Sequence, residues 1–254
     1  MKKLAKLFTL MLAVVLLAVS LAACGAVKSD KELVFGTNAE FPPFEFVTTG
    51  DGLIDNFDGI DIAIADKIAK DNGMTAKISN MEFDSLLLAL ENGQVDAVIA
   101  GMTVDPERAE KVDFSISYYK ATQVMIVKED STIASSTDMA DKKIAVIQGY
   151  TGETCVKKMG YAYTSFKKGT DAIMELVNGK ADVVVIDSAT ASKYVADNEG
   201  LKIVEDSAAF ADEEYAIAVQ KGNKELLDKI NASLQELLDD GTIANLGDQY
   251  SVSE

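Results

Sequence analysis

The chain has 254 residues, with 24 basic side chains against 41 acidic ones, a formal charge of −17, two cysteines and no histidine. A surface this acidic argues against nucleic-acid binding and against electrostatic adhesion to anionic lipid. Without histidine, and with few thiols, a zinc site has too few ligands.

In chain order, the first 24 residues read as a targeting segment rather than fold. Lys2, Lys3 and Lys6 form a basic start, Leu7 to Leu21 an apolar run, and Leu21-Ala22-Ala23-Cys24 a close of small residues before a cysteine. The run is short for a ~20-residue membrane span. Its Leu-Ala-Ala-Cys ending resembles the bacterial lipoprotein processing site, where the cysteine is lipidated and becomes the new N-terminus. That assigns 1–23 to a signal peptide and 24–30 to a lipidated tether. Removing three lysines leaves 21 basic against 41 acidic residues, about −20. With Cys24 lipidated, Cys155 is a lone thiol and no disulfide forms within the chain.

Leu33–Thr37 reads as an opening strand. The acidic stretch Asp51 to Asp61 does not fit an EF-hand loop, because Leu53 stands where the third position needs an oxygen ligand. Ile60, Ile64 and Ile68 lie four apart and predict a helix stripe. Ala121–Lys128 reads as a strand, Lys143–Ile147 as a second opening strand, and Lys193–Asn198 as the end of a helix. Leu226, Leu227, Ile230, Leu234, Leu237 and Leu238 form an amphipathic helix that stops at Gly241.

One unit is used twice. Phe83 to Gly93 is a helix ending at Asn-Gly and leading into the almost wholly apolar strand Gln94–Ala100. Thr170 to Gly179 repeats this and leads into Lys180–Ile186. Asn-Gly supplies a left-handed helix end, and a strand apolar on both faces belongs inside a helix-covered sheet. Asp96 and Asp182 match within the repeat. A shift of 86 residues sets Gly101 opposite Asp187, each just past its strand. Ligands in open α/β sheets sit beyond the carboxyl ends of strands, so facing halves would share one cleft.

Arg108 is the only arginine among 23 lysines. Its planar fork grips a carboxylate in a way that lysine cannot copy. The count alone leaves two readings open, a carboxylate clamp or an ordinary surface charge.

From about Leu33 onward the chain resembles the extracytoplasmic amino-acid-binding proteins of ABC importers, solute-binding protein family 3, of the glutamine and basic amino-acid type. The resemblance rests on Gly36-Thr37-Asn38-Ala39-Glu40-Phe41-Pro42-Pro43-Phe44-Glu45-Phe46, Gly59-Ile60-Asp61-Ile62, Ala100 to Arg108, Val112-Asp113-Phe114-Ser115, Gln148 to Glu153, and Ile186-Asp187. Ala63 departs from the family pattern, which usually has an acid there. The implied fold is α/β, the type II periplasmic-binding-protein fold: two α/β lobes joined by two hinge strands, with the ligand cleft between. Lobe one would be 31–119 plus 215–254 and lobe two 120–214, with hinges at Tyr118–Thr122 and Ala211–Tyr215.

The resemblance also implies the site. Arg108 takes a ligand carboxylate, helped by Thr103 and Thr151. Asp187 takes the ammonium, with the Gly101 carbonyl as a second acceptor, and Asp187 is also placed to cap the helix that follows. Phe41 and Phe83 pack on the ligand side chain. Asn38, where relatives often carry Asp, favours a polar neutral ligand, while the nearby Glu40 either restores a preference for a cation or points to solvent. The implied function is binding of a free amino acid, glutamine-like or basic, by a monomer that delivers it to an ABC permease and meets the membrane only through the lipid at Cys24, on the outer face of the cell membrane. No cofactor, metal or enzymatic step is called for. The alternatives are an amino-acid-sensing receptor lipoprotein and a dehydratase-type enzyme on the same fold.

Overall fold

A computed structural model describes residues 31–250. The segments expected as signal peptide and tether, Cys24 included, lie outside the described residues. The chain opens with β1 (Lys31–Thr37) and three short strands, β2 (Glu40–Phe41), β3 (Glu45–Val47) and β4 (Phe57–Asp58). Helix α1 (Ile60–Asp71), β5 (Met74–Asn80), a 3-10 turn at Phe83–Ser85, α2 (Leu86–Glu91), β6 (Ala97–Val98), α3 (Pro106–Lys111) and β7 (Val112–Phe114) follow. Then come β8 (Tyr119–Lys128), β9 (Ile144–Ile147), α4 (Thr151–Lys158), β10 (Tyr163–Phe166), α5 (Gly169–Val177), β11 (Val183–Asp187), α6 (Ser188–Asp197) and β12 (Leu201–Val204). The chain ends with β13 (Asp212–Tyr215), β14 (Ala218–Gln220), α7 (Lys224–Asp239) and α8 (Thr242–Tyr250).

Two sheets form the frame. The first runs β5-β1-β6-β14-β7 and the second β10-β9-β11-β8-β12. The two orders are the same once β1 is matched to β9 and β6 to β11. In each, the fourth strand runs antiparallel to both neighbours: β14 against β6 and β7, and β8 against β11 and β12. The echo in the sequence is therefore an echo in topology. β2, β3 and β4 form a small third sheet.

The matched aspartates do the same job in both halves. The Asp96 carboxylate accepts from Val34 N at 2.8 Å, and Asp96 N donates to Val34 O. Asp182 exchanges the same two bonds with Lys143 at the start of β9. Each aspartate locks the third strand in its sheet's order to the second. Gly93 and Gly179 end the repeated helices at φ +68 and +71.

The repeat is uneven where it was expected to be even. β11 has five residues and all are buried, but the regular part of β6 is only Ala97–Val98. Past Val98 the chain turns toward Gly101 in the left-handed region, which ends the regular pairing early. The C-terminal helix also differs. Ile230, Leu234 and Leu237 are buried, but Leu238 is 38% exposed and lies off the packed stripe. The chain does stop α7 at Gly241, then continues into α8, whose first turn is held by Asp240 accepting from Thr242 N.

Ile60, Ile64 and Ile68 are fully buried, as their spacing predicts. The chain passes between the sheets twice. β8 and β13 pair antiparallel at these passages, with Tyr119 opposite Tyr215 and Ala121 opposite Glu213.

Candidate functional site

The site forms where the carboxyl ends of β6 and β11 face each other. On the first lobe, Gly101 has φ +51, and a side-chain carbon there would lie 2.5 Å from the Phe41 ring. Only glycine fits without strain. Gly101 N donates to the buried Asp61 carboxylate at 2.8 Å, and Tyr118 OH donates to the same oxygen at 2.9 Å. Two residues on, Thr103 bridges to Tyr215 on β13, with Val104 N donating to Glu214 O and Ala216 N to Met102 O. The loop leading to Arg108 is thus stitched to a strand that connects the lobes.

Asp105 fixes Arg108 twice. It caps α3, its Oδ1 accepting from Glu107 N and Arg108 N at 2.9 and 3.0 Å, with Pro106 at the first helical position. Its other oxygen pairs with Arg108 Nε at 3.0 Å. The guanidinium also donates to Thr103 O at 2.8 Å and, across the cleft, to Gly149 O at 3.0 Å. It sits 5.2 Å from the centre of the Phe83 ring. The side chain is 12% exposed, so it is not an ordinary surface charge. Burial lowers its pKa and Asp105, Asp187 and Glu213 raise it. Arginine stays charged in such a setting.

On the second lobe, Thr151 begins α4 and Asp187 ends β11. Asp187 stands at the N-cap of α6 but makes no capping bond. The helix-cap role therefore falls away, because Tyr215 OH donates to Asp187 Oδ1 instead and turns it into the cleft. Burial, then the charge of Glu213, pushes Asp187 up to about 7.

Seven of the eight residues expected in the site line one small cavity between the lobes: Phe41, Phe83, Gly101, Thr103, Arg108, Thr151 and Asp187. The cavity is about 10 Å³, roughly the room one water needs. The lobes are closed, and a larger guest requires them to part. The Thr103 and Thr151 hydroxyls meet at 3.0 Å across the cleft. A wider cleft of about 600 Å³ between α2, α3 and α4 shares Phe83, Arg108 and Thr151 with the cavity and leads up to it.

Asn38 is the eighth residue and stands one layer back. Its amide nitrogen donates to Met81 O at 2.9 Å, and its oxygen accepts from Tyr150 OH at 2.8 Å. Tyr150 lines the cavity in its place, edge-on to both Phe41 and Phe83. Glu40 takes neither role considered for it. It pairs with Lys168 of the other lobe at 2.8 Å, at the rim of the cleft.

Sequence reasoning also missed four groups. Glu213 accepts from Thr103 Oγ1 at 2.7 Å. Tyr215 orients Asp187. Behind Gly101, Glu45 and Asp61 are fully buried together. Burial and the neighbouring Asp61 raise Glu45 well above the usual carboxylate range, and burial raises Asp61 to about 6. Asp61 receives two donors and keeps the charge, so Glu45 holds the proton. No spacing signal marks these groups: Glu213 and Tyr215 reach the site along the connecting strand, and Glu45 and Asp61 meet only through the folding of the first lobe. Among the described residues, no group of three or more His, Cys, Asp or Glu is placed to hold a metal ion. Cys155 is half-buried against the second-lobe core, and burial pushes its thiol up to about 11.

Residues 33–253 match the model of the bacterial extracellular solute-binding proteins, family 3. The chain is 32% identical to the arginine-binding extracellular protein ArtP of Bacillus subtilis over 98% of this chain and 99% of that one. It is 30% identical to the glutamine-binding protein GlnH of the same organism, covering 93% of each. The structure of ArtJ from Geobacillus stearothermophilus, described as an arginine-, lysine- and histidine-binding protein, superposes with a TM-score of 0.80 at 33% identity, over 87% of this chain and 95% of that chain. Among the described residues, no helix is long and apolar enough to cross a membrane.

Proposed function

Because the chain belongs to the bacterial extracellular solute-binding proteins, family 3, we propose that its cleft closes on one free polar amino acid and presents the closed form to an ABC permease. The observation that carries this is that Arg108 and Asp187, one from each lobe, face the same cavity. A free amino acid brings a carboxylate and an ammonium about one carbon apart. Arg108 takes the first, in exchange for the backbone carbonyls it now holds. Asp187 and the Gly101 carbonyl take the second. A ligand that bridges the lobes favours the closed state by its differential affinity for it.

The magnitudes suffice. Charge-assisted hydrogen bonds contribute about 1.5–3 kcal/mol each, and a micromolar site needs about 8 kcal/mol. The side-chain pocket is aromatic, from Phe41, Phe83 and Tyr150, with the Asn38 amide behind it. Such walls suit a flat polar group, whether an amide or a guanidinium. This agrees with the relatives, which are named for arginine and for glutamine.

The test is a thermal-shift screen of the twenty amino acids with ornithine, citrulline and cystine. A ligand at 100 times its dissociation constant adds about 2.7 kcal/mol. Arginine and glutamine are expected among the largest shifts, and their α-carboxamides are expected to give none. If the amides stabilise as well as the free acids, Arg108 does not bind a carboxylate. The ligand is returned unchanged, so product in a mass-spectrometric assay would show an enzyme instead.

The same proposal includes residues 1–23 as a signal peptide, lipid at Cys24 with a tether to residue 30, a monomer, and lobes at 31–119 plus 215–254 and 120–214. Cys24→Ala is expected to release the protein from the membrane fraction into the medium.

A further inference from the structure

Glu213 is a buried acid that the binding reading leaves without a task. It lies on β13, 9% exposed, among groups from both lobes. Arg108 of α3 and Thr103 face it from the first lobe; Asp187 of β11, Gln123 of β8, and Thr151 and Cys155 of α4 face it from the second. Tyr215 adjoins it on its own strand.

The hydrogen-bond arithmetic around Thr103 is closed. A threonine hydroxyl has one hydrogen to give and two lone pairs to receive. Thr103 gives its hydrogen to Glu213 Oε2 at 2.7 Å and receives from Thr151 at 3.0 Å. An ionised Glu213 can only accept, so the direction of the first bond is fixed, and with it the second. Both threonine hydroxyls assigned to a ligand carboxylate are thus spent inside the protein. Glu213 already sits where it draws on the same donors and the same cation as an incoming carboxylate would.

Resting on the amino-acid-binding reading above, we propose that Glu213 is a built-in competitor for the ligand carboxylate, and that it yields the Thr103 hydroxyl by taking up a proton when the ligand binds. One proton from solvent adds to Glu213 Oε2, and no other bond is made or broken. Glu213 then donates to Thr103 Oγ1, which still receives from Thr151, and the Thr103 hydrogen turns to the ligand. The proton also removes one of two like charges that would otherwise share Arg108 in a water-poor space. The environment is prepared for this: burial already raises Glu213 above its ordinary range, and the hydrogen bond from Thr103 lowers it. Giving up that bond to the ligand raises it further.

Isothermal titration calorimetry with L-arginine, and in parallel L-glutamine, at pH 8 in phosphate and in Tris counts the protons exchanged. At pH 8 Asp187, at about 7, is mostly ionised and has little proton to release to an incoming ammonium. The wild type is expected to take up about one proton per ligand and to lose affinity by up to about tenfold per pH unit above neutrality. Glu213→Gln is expected to take up none and to bind at least as tightly at pH 8, because its amide donates to Thr103 permanently. Equal proton counts in the two proteins, or weaker binding by Glu213→Gln, would overturn the proposal. The wild type alone also decides it. In protein labelled at glutamate carboxyl carbons, one resonance must move to the protonated position when ligand is added at pH 8, and none moving overturns it. If the wild type binds no free amino acid, the binding reading fails and this proposal with it. If it binds without proton uptake, the competitor alone is wrong.

Discussion

The two lobes have the same strand order but end their matched strands differently. In the first, β6 breaks after two residues and the chain swings through Gly101, so the lobe offers the cleft a backbone carbonyl. In the second, β11 runs five residues straight into α6, and the matched position is the Asp187 carboxylate. One architecture yields two chemistries because one copy is bent by a glycine and the other is not. The first lobe also holds its site rigidly, with Arg108 clamped by Asp105 and Gly101 by Asp61. The second contributes fewer groups, of which Asp187 is held from the connecting strand by Tyr215.

This comparison makes the first lobe the anchor and is broken most directly at Arg108. Arg108→Ala is expected to weaken amino-acid binding by about 2–5 kcal/mol, on the order of 30-fold to several thousandfold by calorimetry. Arg108→Lys should recover only part of this, since it keeps the charge without the fork. A loss smaller than that of Asp187→Asn would reverse the ranking of the lobes. Next in size is Gly101→Ala. A side chain at φ +51, 2.5 Å from the Phe41 ring, should cost about 2–3 kcal/mol in denaturant unfolding. The mirror change Asp187→Ala strains no backbone but leaves the buried Tyr215 hydroxyl without its acceptor, at a cost of about 1–3 kcal/mol.

The brace behind Gly101 gives a pH test. Glu45 and Asp61 have folded pKa values above the unfolded ones. Their contribution to stability is therefore full below about pH 4 and is lost as pH rises through the folded values, with the loss from Asp61 centred between about 4 and 6. Glu45→Gln donates to Asp61 without a proton. Its unfolding free energy should overtake that of the wild type as pH rises, because the substituted side chain has no proton to lose. Parallel curves from pH 4 to 8 would mean that the pair does not share a proton.

Much of this was legible from residues alone. The paired helix-Asn-Gly-strand units give the two sheets because burial on both faces leaves a central strand no other place. Arg108 stood out as the single arginine and Asp187 by the repeat shift, and the resemblance supplied their roles. Tyr150, Glu213 and Tyr215 were not legible, because each acts across the lobes or along the connecting strand, and no local period records that. Asn38 was placed at the ligand by the resemblance, and Glu40 was weighed there only as the acid beside it. Their partners, Tyr150 and Lys168, lie 112 and 128 residues away.

The smallest effect is expected at the rim, where Lys168 and Glu40 join the lobes while 49% and 23% exposed. An ion pair in that setting contributes about 0–1 kcal/mol and weakens with salt. Lys168→Ala, Glu40→Ala and the double variant should therefore change affinity by less than about fivefold, with a coupling that fades at high ionic strength. The centre of the cleft differs in kind, because Arg108 and Asp187 lie where water is scarce and each charge lacks a solvent alternative. If Lys168→Ala loses as much affinity as Arg108→Ala, closure is governed from the rim, and the first lobe's clamped site is a consequence of closing rather than its cause.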